Sequence, residues 1–170
     1  MNSWTVFKQD SAKKPHQMVG SVYAVDAETA LLEARTVFAR RPKAVSMWVA
    51  PTKLGTMWTH EQLETMKHVE THGDKMTWQV FWKVGQRRAM TFVDHVGEVV
   101  ANSAESALTQ AITQFSTNKT IWVWMIVPDN AIARSETNDI ESWFKPAMTK
   151  TYKQQSQYGF VGGIRSRKKK

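Results

Sequence analysis

The chain has 170 residues, 42% of them hydrophobic and 22% charged, the balance of a soluble globular protein of one mid-sized or two small domains. It has no cysteine, which excludes disulfides, iron–sulfur clusters, thiolate zinc sites and cysteine nucleophiles. Of the formal charge of +8, Arg165, Arg167, Lys168, Lys169 and Lys170 supply five, so the basicity belongs to a solvated tail and the rest of the chain carries only +3. No apolar run approaches the roughly 18 to 20 residues that cross a bilayer, and the N-terminus shows no basic start followed by an apolar stretch. A cytoplasmic protein is expected.

Trp4-Thr5-Val6-Phe7 reads as a first strand, and Val19-Gly20-Ser21-Val22-Tyr23-Ala24 as a second. Asp26 is placed to cap a helix, Glu28 lies in its first turn, and Ala30, Leu31, Ala34, Val37 and Phe38 recur at the helical period of one buried face. Arg40-Arg41-Pro42 ends that helical segment, because proline disfavours a helical residue before it. Ser46-Met47-Trp48-Val49 supplies a third strand, closed by Pro51.

Residues 54–75 read as a linker. Within it Thr59 and Gln62 have the spacing of a capping box, which predicts a short helix from about His60 to His68. His60, Glu64, His68 and His72 recur every four residues, a spacing that could hold a metal on one helical face, but Gly73 ends the pattern and a solvated face is expected.

The first unit then recurs. Trp78-Gln79-Val80-Phe81 repeats the first strand, and Val96-Gly97-Glu98-Val99-Val100-Ala101 repeats the second, with the spacing changed by three residues, as an insertion in a hairpin loop would produce. Ser103 and Glu105 repeat the helix start, and Ala107, Leu108, Ala111 and Phe115 repeat the buried face. Thr120-Ile121-Trp122-Val123 repeats the third strand and runs on through Val127 to Pro128, a continuous apolar stretch that implies burial on both faces. Pairing Pro51 with Pro128 is an alternative alignment, so the register stays open. On the first alignment Trp4, Trp48, Trp78 and Trp122 are matched packing residues.

The expected fold class is α+β: two strand-strand-helix-strand repeats, residues 1–53 and 76–130, packed as a pseudo-dimer with both helices on one side, because each unit alone buries too little surface. Residues 131–170 form a C-terminal extended arm and basic tail, with Trp143, Phe144, Tyr152, Tyr158 and Phe160 scattered through it.

Catalytic motifs are missing from the sequence. It contains no Glu-x-x-His pair for a di-iron bundle, no His-Glu-x-x-His, no Gly-x-Ser-x-Gly and no phosphate-binding glycine loop. Asp94 and His95 are adjacent on a strand and point to opposite faces, which prevents them from acting as a dyad.

Taken in order, Trp-x-Val-Phe, the run Val19 to Arg35, Phe38-Ala39-Arg40-Arg41 and Ser46-Met47-Trp48-Val49 resemble the PaaB family, the small B subunit of the phenylacetyl-CoA epoxidase. The second copy keeps His95-Val96-Gly97 and Ala104 to Leu108 but loses the arginines after the helix. The resemblance implies a non-catalytic bridging subunit of a multicomponent monooxygenase of phenylacetate degradation, here duplicated in one chain. It implies as partners the catalytic and structural ferritin-like subunits, with the reductase a further candidate. No cofactor is expected in this chain; the di-iron site belongs to the catalytic partner. Arg40, Arg41, Trp58, Trp82, Arg87, Arg88, Trp143, Phe144 and Tyr158 are the expected partner contacts. The competing reading is a single-stranded nucleic-acid binder that uses the tryptophans and basic tail, and it ranks below the protein partners.

Overall fold

A computed structural model describes residues 1–39, 43–65, 74–85 and 92–146. Strand β1 (Asn2–Gln9) buries Trp4 and Val6 on one face and Thr5 and Phe7 on the other. It lies antiparallel between β2 (Gln17–Ala24) and β3 (Ser46–Pro51), with helix α1 (Ala27–Phe38) connecting them. Asp26 caps α1 by accepting the Thr29 N–H at 2.8 Å. Ala30, Leu31 and Ala34 are buried, but Val37 is 57% exposed, because the last turn directs Phe38 onto the sheet instead.

After β3 the segment read as a linker forms a 3-10 turn at Thr52–Leu54, strand β4 (Thr56–Thr59) and helix α2 (His60–Thr65). The capping box is formed reciprocally: Thr59 N–H donates to Gln62 Oε1 at 2.9 Å and Gln62 N–H to Thr59 Oγ1 at 3.4 Å. Strands β5 (Met76–Lys83) and β6 (Asp94–Ala101), helix α3 (Ala104–Gln114) and strand β7 (Val123–Pro128) repeat the order of the first unit. Ser103 caps α3 through the Ser106 N–H at 3.2 Å. A 3-10 turn at Asp129–Ala131, the two-residue strand β8 (Ala133–Arg134) and a π-helical turn at Ile140–Phe144 follow.

The registers of the halves correspond. Trp4 faces Val22 and Pro51, while Trp78 faces Val99 and Pro128. The proline alignment is therefore the structural one. Trp48 corresponds to Met125, and Trp122 lies ahead of β7, 38% exposed, rather than in a matched packing position. All six residues of β7 are buried, so no period-two signal in the sequence could fix its register.

Each half carries the same β-bulge. The β1–β2 pairing steps from Val6–Gly20 to Phe7–Met18, leaving Val19 extra, and the β5–β6 pairing steps from Val80–Gly97 to Phe81–His95, leaving Val96 extra. The bulge glycines receive the aromatic ring that ends each helix. A Cβ on Gly97 would lie 2.7 Å from Phe115 Cζ, and one on Gly20 would lie 2.8 Å from Phe38 Cζ, where a φ of +152° adds backbone strain.

The antiparallel strands join in one sheet ordered β4-β7-β5-β6-β2-β1-β3-β8. β4 follows β3 in the chain yet pairs with β7 (Met57 with Met125), and β8 follows β7 yet pairs with β3 (Arg134 with Trp48). Each half thus receives an edge strand from the other. The halves also meet at a seam between β2 and β6, where Gln17 faces Asp94, the Met18 N–H donates to Val93 O at 2.9 Å and the His95 N–H to His16 O at 2.8 Å.

β1 and β5 are three strand spacings apart, about 14 Å in a flat sheet. Phe7 and Phe81 nevertheless stack with centroids 4.3 Å apart, so the sheet curls over its inner face. The core has three parts. Trp4, Val6, Leu31, Met47 and Phe144 pack with α1, and Trp78, Val80, Leu108, Trp124 and Ile126 pack with α3. Phe7, Met18, Phe81, Val93 and Met125 fill the space inside the curl.

The glycine seats give a direct test. Gly97→Ala is expected to destabilise the chain by about 1–3 kcal/mol through overpacking, read as a lower urea midpoint at unchanged slope. Adding Phe115→Leu, which shortens the opposing side chain, should recover part of that loss.

Candidate functional site

The inner end of the seam holds a closed ring of polar and aromatic side chains. His16, immediately before β2 and 7% exposed, stacks on Trp48 of β3 with centroids 3.7 Å apart, and its Nε2 meets Ser46 Oγ at 2.9 Å. The guanidinium of Arg134, delivered by β8, lies 4.9 Å from the Trp48 ring centroid. His95 on β6 presents its ring edge-on to Trp48 at 5.2 Å and Phe81 at 5.1 Å.

Gln79 of β5 links these groups. Its amide Nε2 donates to Asp129 Oδ1 at 2.7 Å and Glu98 Oε2 at 3.2 Å, which turns its Oε1 toward His95 Nε2 at 2.7 Å. An amide oxygen can only accept, so His95 carries its proton on Nε2. Asp129 in turn pairs with Arg134, and the ring Trp48–His95–Gln79–Asp129–Arg134 is complete.

Burial sets the protonation of the ring. It lowers His16 to about 4, helped by repulsion from His95, once that ring is protonated in acid, and from the Arg134 guanidinium. Burial also lowers His95, with Arg134 adding to the effect against the opposing pull of the Gly97 backbone and Glu98. For Asp129, burial acts upward, but the hydrogen bonds from Arg134 and Gln79 and the Arg134 charge outweigh it and hold the carboxyl below its ordinary range. Both histidines are therefore neutral at pH 7. The ring nitrogens meet Ser46 and Gln79, and the arrangement ties together strands from both halves.

Asp94 and His95 do point apart: Asp94 accepts from Gln17 Nε2 at 2.5 Å while His95 bonds Gln79. On the outer face a hollow of about 280 Å³ lies over the seam, lined by Lys8, Asp10, Lys14, Gln17 and Asp94. Asp10 holds Lys8 at 2.9 Å and Lys14 at 3.6 Å, which leaves the hollow with mixed charge. Among the described residues no group of three or more His, Asp or Glu could hold a metal ion, and no helix is long and apolar enough to cross a membrane. His60 starts α2, its ring 6.2 Å from Trp122, and Glu64 follows on the same helix; His68 and His72 lie outside the described residues.

The expected partner contacts fall in separate places. Trp58 on β4 and Trp82 on β5 both face Trp124 of β7 and half-bury against the α3 core, with the Trp82 and Trp124 rings 5.7 Å apart. Trp143 lies on the other half, packed on the α1 core with the Arg35 guanidinium 5.7 Å from its ring centroid. Phe144 is 1% exposed inside that same core, which removes it from the surface: this part of the C-terminal segment covers its own chain. Arg40, Arg41, Arg87, Arg88 and Tyr158 lie outside the described residues.

Sequence reasoning missed His16, Trp48, Gln79, Asp129 and Arg134 as a group. One signal was present: Gln79 takes the strand position that Thr5 holds in the first copy, a polar side chain between buried neighbours in both.

A family model described as phenylacetic acid degradation B (PaaB) matches the chain twice, over residues 1–76 and 75–165. No curated protein and no solved structure matched the chain.

The buried histidines fix the direction of a pH effect. An unfolded imidazole binds its proton near pH 6.5, but His16 in the fold does so only near 4, so between these values the unfolded chain holds more protons and stability falls as pH falls. From pH 7 to 5 the loss from His16 is up to about 2 kcal/mol, and His95 acts in the same direction. The carboxylate shifts act only below their ordinary value of 3.8. Urea titrations at pH 7 and 5 check this, and His16→Gln should flatten the dependence.

Proposed function

The chain belongs to the PaaB (phenylacetic acid degradation B) family as a tandem duplication of a phenylacetyl-CoA oxygenase subunit, and we propose that it is a fused, non-catalytic pseudo-dimer that bridges the helical subunits of that complex. Involvement in phenylacetate degradation follows from the family itself. The bridging role is the further step. The observation that carries it is the reciprocal exchange of β4 and β8, which ties the halves into one rigid unit with an outward helix on each. A body built that way resists hinging between its ends, as a bridge must.

In this reading the catalytic and structural ferritin-like subunits are the partners, and the reductase docks on their assembly. The di-iron chemistry stays with the catalytic subunit, and this chain contributes placement, in the cytoplasm. Trp58 and Trp82 on one half and Trp143 on the other are the described contacts; Arg40, Arg41, Arg87, Arg88 and Tyr158 extend the contact surface. Half-buried tryptophans suit that role, because a large rigid ring loses little entropy when a partner covers it.

Co-expression with the two helical subunits tests the proposal. The chain should elute with them in one peak, and elution by itself at micromolar concentration would overturn the bridging role. Trp58→Ser with Trp82→Lys, which introduces the residue types of the matched positions Ser135 and Lys8, should weaken capture of a helical subunit by roughly 30-fold. The melting temperature of the variant alone should fall far less steeply than that affinity.

A further inference from the structure

Contacts across the middle of the sheet are of two kinds. Phe7 stacks on Phe81, which holds the matched position of the other half, and any pairing of halves would keep that contact. The contacts beside it join unlike residues. Gln17 and Asp94 each lie three positions before the bulge glycine of their own half, and they face each other with Gln17 Nε2 donating to Asp94 Oδ1 at 2.5 Å. The backbone bonds around this point are repeated, from Met18 to Val93 and from His95 to His16.

The side chains around it are not repeated. His95 meets Trp48, His16 and Gln79, whereas Met18, its match in the first half, belongs to one apolar cluster with Val93 and Met125. One side of the seam is therefore polar and aromatic, and the other is rich in methionine and valine. Two second halves joined in this geometry would oppose the Asp94 carboxylate to its own copy across the seam and deprive both His95 rings of Trp48 and His16. Two first halves would set Gln17 against Gln17 and leave His16 and Trp48 facing Met18.

We propose that the seam is an interface selective for an unlike half: its stacked phenylalanines supply attraction to any half, and the Gln17–Asp94 pair with its flanks rejects a like one. The partner that fits each half is the other half of the chain, so the protein closes as one asymmetric body and does not assemble from like halves. Specificity of this type needs a repulsive element as well as a matching one, and a carboxylate opposed to its own copy provides it. The inference stands on the seam alone and does not depend on the bridging role.

A charge cycle in the full-length chain tests it. Gln17→Asp recreates the like pair and should lower the melting temperature by about 5 °C at low salt. Because the loss is repulsion between carboxylates, 1 M salt should remove most of it. Asp94→Gln should cost less, and the exchange Gln17→Asp with Asp94→Gln should return the chain close to its original stability. Should Gln17→Asp fail to fold while the exchanged pair folds, the proposal is supported more strongly. Equal stability of Gln17→Asp and the original chain, or an exchanged pair no better than the sum of its two single changes, would overturn it.

Discussion

The stack of Phe7 on Phe81 joins two strands that would stand about 14 Å apart in a flat sheet. Holding those rings at 4.3 Å requires the sheet to curl, and the curl has a visible source in the two bulges, since an extra residue on one strand bends it and increases its local twist. At each bulge a glycine sits under the ring that ends the neighbouring helix, Phe38 over Gly20 and Phe115 over Gly97. Helix position, strand curvature and the closed interior are thereby coupled. A shift at the glycine moves the helix off the outer face and loosens the inner one.

That coupling explains why β3 and β7 are buried on both faces. Met47 and Val49 pack under α1 while Ala50 turns into the curl; Trp124 and Ile126 pack under α3 while Val123, Met125 and Val127 turn inward. Neither strand can serve as a sheet edge. The exchanged strands β4 and β8 take the edge positions instead, and β8 needs only two residues to bring Arg134 over Trp48. The polar ring of His95, Gln79, Asp129, Arg134 and Trp48 occurs once, because the matched positions of the other half hold Met18, Thr5, Thr52, Met57 and Met125. Duplication in one chain permits such a difference, whereas two identical subunits would have to carry the ring twice or not at all.

Much of this was legible in the residues. The recurrence of Trp-x-Val-Phe located β1 and β5, Asp26 and Ser103 located the starts of α1 and α3, and Thr59 with Gln62 located the start of α2, because caps and strand periodicity are local signals. The register of β7 was not legible, since a strand apolar on both faces reads the same when shifted by one or two residues. β4 and β8 were missed for another reason: they are short, and what makes them strands is a partner supplied by the opposite half. The polar ring depends on the same distant pairings. His16 and His95 are far apart in sequence and meet only because β2 and β6 join at the seam.

The seam is also the narrowest connection in the sheet. β1–β2 and β5–β6 pair along seven residues each, but β2 and β6 share a single facing pair, Gln17 with Asp94. So few backbone bonds cannot by themselves hold the halves in one orientation, and the crossing strands must carry the rest of the constraint. β4 and β8 do so from opposite edges, each fastening its own half to the far strand of the other. A covalent link between the halves also raises the effective concentration of one for the other, so the seam can bury neutral histidines, which weaken it in acid, without the halves separating at neutral pH. Adhesion comes from the covalent connection, the exchanged strands and the phenylalanine stack, and that leaves the side chains of the seam free to specify which half belongs with which.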